Sequence, residues 1–146
     1  MELTNFGSIM SFAVELEGAD KAFYEAAAAS PACGAYEDLL EEFARDEKKN
    51  EKNMVRARRE HVTEMVLEPI TDFTGEPFMS DREITPQMSL EQILALALAL
   101  EEKAQSFYSQ AAEKTKGLAE ISRVLGKTGK KRAAHKARLE EIGKFG

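Results

Sequence analysis

One pattern constrains this chain more than any other. Leu16-Glu17, six residues and Tyr24 recur as Leu100-Glu101, six residues and Tyr108. Each copy runs on into alanine, Ala26–Ala29 in the first and Ala111-Ala112 in the second. A helix returns to nearly the same face after seven residues, so the Glu and Tyr of each copy look into one interior. Burying a lone carboxylate is costly. Doing so twice, by repetition, calls for a compensating cation, and a metal held between the two carboxylates is the usual one.

The chain of 146 residues reads as one domain over 1–146, long enough for a single filled core. Alanine, leucine, glutamate and lysine dominate, which favours an all-helical protein. The net charge of −6 argues against a general nucleic-acid binder, and none is expected as a partner. Charge is uneven, however: Lys114 to Lys144 carries ten basic residues against three acidic ones, Glu120, Glu140 and Glu141. That excess reads as a solvated helix face before an anionic partner. The single cysteine, Cys33, excludes a disulfide framework and any four-cysteine metal module. It stands in the Pro31-Ala32-Cys33-Gly34 turn. No basic and apolar leader opens the chain, and Ile93–Leu100 is too short to span a bilayer, so a cytoplasmic protein without membrane contact is expected.

Periodicity predicts four helices. The first runs from Thr4 to Ala29 with Phe6, Met10, Ala13, Glu17, Asp20 and Tyr24 along one stripe. Ser30-Pro31 and Gly34 end it. The second runs from Tyr36 toward Val66 on a seam of Tyr36, Leu40, Phe43, Glu47, Asn50, Met54 and Ala57, whose alternating spacing of four and three is that of a bundle helix. The third begins after Ser89, an N-cap with Gln92 as its box partner, and buries Leu94, Ala97, Glu101, Ala104, Tyr108 and Ala111. Lys116-Gly117 turns the chain into the last helix, with Ile121, Leu125, Thr128, Arg132, His135, Leu139 and Ile142 inward. Gly126 and Gly129 are expected to permit close packing or a bend. Gly126-Lys127-Thr128 is no phosphate loop, because Ile121 stands where the motif needs glycine and no strand precedes it. His61 falls late on the second helix and reads as a helix-end or surface residue.

Leu67 to Met88 breaks the pattern, with three of the four prolines and the Thr74-Gly75 turn signal. Its length exceeds that of a 25-residue helix, roughly 37 Å, so the second and third helices can run parallel. The result is two antiparallel hairpins joined by one long crossover, the connection of a ferritin-like bundle. The first helix maps on the third at an offset of 84 and the second on the fourth at 85, placing Glu47 on Arg132 and Asn50 on His135. Polar groups from four seams then meet at one depth: Glu17, Glu47 with Asn50, Glu101, and Arg132 with His135.

The Leu-Glu-(six)-Tyr motifs, the segment Phe43-Ala44-Arg45-Asp46-Glu47-Lys48-Lys49-Asn50, and Met88-Ser89-Leu90 at the head of the third helix resemble the rubrerythrin branch of the ferritin-like superfamily. The resemblance implies an all-α ferritin-like four-helix bundle, two irons, peroxide-related oxidoreductase activity and homodimerisation. It also implies an attached four-cysteine rubredoxin domain in many members, which the single cysteine here rules out. A di-iron carboxylate bundle takes one Glu from each of two helices and Glu-x-x-His from each of the others. This chain departs at two places, with Asn50 in place of one His and Arg132 in place of one Glu. Glu17, Glu47, Glu101 and His135 remain as candidate metal ligands, and Asp20 could add a carboxylate, though at such a bundle position it more often pairs with a nearby Lys or Arg. Arginine offers only donors and stays protonated. At a separation of about 4 Å and an effective dielectric of 20, it repels each unit of metal charge by about 4 kcal/mol.

The expected centre is therefore a metal-free network with no cofactor. In it Arg132 pairs with Glu17, Glu47 or Glu101, His135 and Asn50 take further hydrogen bonds, and Tyr24 and Tyr108 donate to the same carboxylates. The expected role is association or binding, with the small-molecule ligand unidentified. The alternative is a mononuclear iron or other divalent-metal site serving an iron-dependent oxidoreductase or a metal or redox sensor.

Overall fold

A computed structural model of the chain describes residues 2–60 and 70–145, with side chains described as far as Gly143. The four helices are α1 (Phe6–Ala29), α2 (Glu37–Glu60), α3 (Leu90–Lys114) and α4 (Ala119–Phe145). Every inward position named above is buried except Tyr36, which is half-buried in a 3-10 turn, Pro31–Tyr36, ahead of α2. His61, Leu67 and the stretch of α2 expected as far as Val66 lie outside the described residues. None of the described helices is long and apolar enough to cross a membrane.

Helix starts follow from capping. Ser89 and Gln92 form the expected reciprocal box at α3. α1 begins at Phe6 and not at Thr4, because Asn5 caps it: the Ser8 amide donates to Asn5 Oδ1 at 2.8 Å and the Asn5 amide to Ser8 Oγ at 3.2 Å. Leu3 and Thr4 are extended and pair with the crossover, the Leu3 amide donating to the Phe73 carbonyl and the Ile70 amide to that of Thr4, both at 2.9 Å.

The side-chain contacts give the topology. Tyr24 meets Phe43 while Glu17 meets Asn50, so α1 and α2 are antiparallel. Ser122 donates to the Ala112 carbonyl and Arg132 to Glu101, so α3 and α4 are too. Between the hairpins, Glu42 pairs with Arg138 and Asp46 with His135, which sets α2 against α4 in opposite directions. It follows that α2 and α3 run parallel, as the long connection permits. Gly129 lets α3 approach, since a Cβ there would lie 3.1 Å from that of Tyr108, whereas one at Gly126 would meet nothing within 4 Å. Only the first of those two glycines is used for packing.

The crossover is more than a spacer. Phe73 and Phe78 are buried against Phe12 and Phe107, with ring centroids 5.8 Å apart for Phe73 and Phe78 and 5.5 Å for Phe78 and Phe107. Each buried ring contributes about 1.5–3 kcal/mol. Gly75 sits where a Cβ would lie 2.5 Å from the Phe12 ring, so only glycine fits this approach. The apolar core falls into two clusters, one around Phe12 and Phe107 and one around Phe23, Phe43 and Ile93. The polar residues of the four seams lie between them.

Candidate functional site

Arg132 is the centre of that polar layer, at 0% exposure, and is the largest of the fully buried side chains. Its heptad position on α4 points it inward, and its guanidinium stays there because carboxylates surround it. Its guanidinium touches four carboxylates. Nε donates to Glu101 at 2.9 and 3.1 Å, Nη1 to Glu17 and Nη2 to Asp20, and Nη2 also lies 2.8 Å from Glu101 and 3.1 Å from Glu47. Glu17 is further held by Tyr108, whose hydroxyl donates at 2.6 Å, and by Asn50 Nδ2 at 3.0 Å. Charge-assisted bonds of this kind are the strong ones, and a fixed planar fork can serve several carboxylates at once.

Two expected partners differ. Tyr24 does not donate to a carboxylate: its buried hydroxyl has no hydrogen-bond partner among the described residues, and its ring packs edge-on against Phe43 and His135. By the pseudo-twofold it would answer Tyr108 by donating to Glu101, but Arg132 Nε already takes both oxygens of that group. His135 stacks on Phe43, with ring centroids 3.9 Å apart, and its Nε2 reaches Asp46 at 3.0 Å. Its Nδ1 is 3.5 Å from Glu101 and 3.8 Å from Glu47, without a hydrogen bond to either. Two further participants, Arg82 and Asp46, lie off the periodic seams. Arg82, from the crossover, clasps Asp20 at 2.5 Å, and nothing in an aperiodic segment signals it. Asp46 stands beside Glu47 in the α2 segment, one place off the seam, where it is half-buried and faces α4.

Carboxyls outnumber cations in this layer. Four buried carboxyls (Glu17, Asp20, Glu47, Glu101) face two buried cations, Arg132 and His135, while Arg82 joins Asp20 and Asp46 joins His135 from the rim. Among the described residues, Glu47 finds no hydrogen-bond donor at either oxygen. Burial accordingly pushes Glu47 well above its ordinary range, more than Arg132 and His135 pull it down. Burial raises Glu17 as well, against Arg132, Tyr108 and Asn50. At Glu101 burial is outweighed by Arg132 and His135, which hold its carboxyl at about 2. Burial would lower His135, but Glu101, Glu47 and Asp46 outweigh it and hold the imidazole up at about 10.

The His135 shift has a sign that can be measured. A histidine raised in the folded state contributes stability that is complete below its unfolded value, about 6.5, and is lost as pH rises through 10. Melting temperature should therefore fall on the alkaline side more steeply than in His135→Gln, measured across the same pH series. Parallel curves for the two proteins would mean that His135 is neutral in the fold.

As chemistry, the arrangement offers a satisfied cation and, beside it, one incomplete set. Glu47, Glu101 and His135 each present a ligand atom within 4.8 Å of the others. A family model described as the ferritin-like domain matches residues 7–142 of the chain. No curated protein and no solved structure matches it.

Proposed function

Because the chain belongs to the ferritin-like domain family, we propose that it keeps the family's bundle but holds a cation of its own, Arg132, where the rubrerythrin resemblance implies two irons. Its role on this reading is that of a metal-free binding or association module. The residues do not suit a two-metal centre. The guanidinium stands among the three remaining ligand carboxylates, Glu17, Glu47 and Glu101, with Asp20 beside them, and Asn50, at the position of a ligand histidine, uses its amide as a donor to Glu17. Arginine repels the metal at the same place, so the two departures reinforce each other. The observation that carries the reading is the burial of Arg132 with four carboxylates at ion-pair distance.

Protein purified from iron-replete cells should contain no stoichiometric metal, and its melting temperature should be indifferent to chelator or added Fe(II). A full equivalent of any metal per chain would overturn the reading.

One observation favours a second reading. Glu47 has two oxygens without donors, His135 Nδ1 is unpartnered, and Glu101 lies beside both. A single divalent ion there would support redox or sensing chemistry, next to a guanidinium that repels it. Glu47→Gln separates the two. In the metal-free protein it replaces the carboxyl most ready to hold a proton by a neutral isostere, so stability at pH 7 should change by less than about 1 kcal/mol. In a metal protein the same change should remove the ion.

A further inference from the structure

Part of the excess of basic residues in α4 falls on one face of the helix. Lys127, Lys131 and Arg138 follow at intervals of four and seven, and on α2 Lys49, Asn53 and Arg56 follow at four and three. Such spacings place each set on one helix face. Because α2 and α4 are antiparallel neighbours, the two faces meet along one groove. The groove holds two adjoining clefts that share Lys131. One, of about 330 Å³, lies between Arg56 and Lys127, with Asn53 and Thr128 in its wall. The other, of about 380 Å³, lies between Lys49 and Arg138, and Asn50 and His135 form part of its wall.

Lys49, Arg56, Lys127 and Lys131 make no ion pair with any described residue, although the chain as a whole carries −6. The acids in the clefts are Glu60, Glu120 and Asp46, of which Glu120 is paired with Arg123 and Asp46 with His135. Four like charges gathered in one groove repel one another, and that arrangement is relieved by a bound anion. The volumes suit a small molecule. A chain of two or three phosphates, unlike a single one, carries enough negative charge to answer all four cations. Neither cleft is lined by Phe, Tyr or Trp among the described residues, and the one ring in the wall, that of His135, is already stacked on Phe43.

We propose that the α2–α4 groove is a binding site for a polyphosphate group, recognised through Lys49, Arg56, Lys127 and Lys131. The ligand is inorganic triphosphate or the phosphate end of a nucleotide. The site does not depend on whether the bundle's centre holds metal.

Titration calorimetry of the full chain with inorganic triphosphate, at low salt and with chelator present, should show saturable binding to one site that weakens steeply as salt is added. Lys127→Glu with Lys131→Glu should weaken it at least roughly tenfold, since each removes a charge-assisted contact. The milder pair Lys127→Gln with Lys131→Gln should weaken it in the same direction. Lys48→Glu with Lys130→Glu changes net charge equally at exposed positions outside both clefts, and should have a much smaller effect. Equal affinity for ATP and triphosphate would show recognition of the phosphates alone, and tighter ATP binding would identify a nucleotide as the source. Absence of saturable triphosphate binding, equal losses in the cleft and control pairs, or binding of duplex DNA without binding of triphosphate would each overturn the proposal.

Discussion

Arg132→Ala should destabilise the bundle by about 3–5 kcal/mol, because it strands buried carboxylates without their cation. A domain of this size has a total stability of about 5–15 kcal/mol, so the variant should be near the edge of folding at neutral pH. The sign of its pH dependence is as informative as the size. In the parent, Glu101 is held at about 2. Its contribution is present above the unfolded value of about 4.3 and is lost as pH falls through 2. Without Arg132, burial is opposed only by Tyr108 and Asn50 at Glu17 and by His135 at Glu47 and Glu101, so Glu17 and Glu47, already raised in the parent, rise further and Glu101 loses its strongest charge partner. Their folded forms then bind protons more readily than the unfolded chain, so stability of the variant should increase as pH falls from 7 toward 4. Arg132→Lys should lie between, keeping the charge but losing the planar fork that reaches several carboxylates. Denaturant titrations of the three proteins at pH 7 and pH 5 measure both effects. An unchanged midpoint in Arg132→Ala would sink the network account.

The seams of the four helices were legible because burial imposes a period and the chain keeps it. Leu40, Phe43, Glu47, Asn50 and Met54 were placed inward by spacing alone, and all five are buried. The charge of Glu47 did not obscure this, since the period is a property of position and not of residue type. Helix ends were legible where a side chain advertises them, as at Ser89 and Gln92. Asn5 and Ser8 form the same kind of cap at α1, and the pairing of Leu3 and Thr4 with the crossover keeps the two residues before it out of the helix.

Direction within the polar layer was less legible than depth. Spacing brings Tyr24 and Tyr108 to equivalent places, yet only Tyr108 finds a carboxylate. The difference arises because one hairpin carries Arg132 where the other carries Glu47, and a long asymmetric side chain cannot serve both halves alike. Arg82 was beyond reach for another reason. It lies in a segment with no period, and its partnership with Asp20 depends on how the crossover folds over α1. The sequence repeat thus describes a symmetric frame, while the interactions that stabilise it are asymmetric.

That asymmetry can be reversed by design. Asn50→His combined with Arg132→Glu supplies an imidazole and a carboxylate at the two departing positions, beside Glu17, Glu47, Glu101 and His135. Arg82 would still serve Asp20 from the crossover, so Asp20 keeps a cation of its own when Arg132 is gone. As an apoprotein the double variant should be less stable than the parent, since four carboxylates then crowd round the layer without the guanidinium, and it should gain stability as pH falls. Fe(II) should rescue it by binding the folded state alone, with a melting temperature that climbs with metal concentration. Asn50→His alone should gain little, because Arg132 would still occupy the place of the cation. Arg132→Glu alone lacks one imidazole and should bind weakly. A double variant that folds but binds iron no better than the parent would show that six ligand positions at one depth do not suffice. The helices would then have settled around the guanidinium in a spacing that no longer accommodates metal.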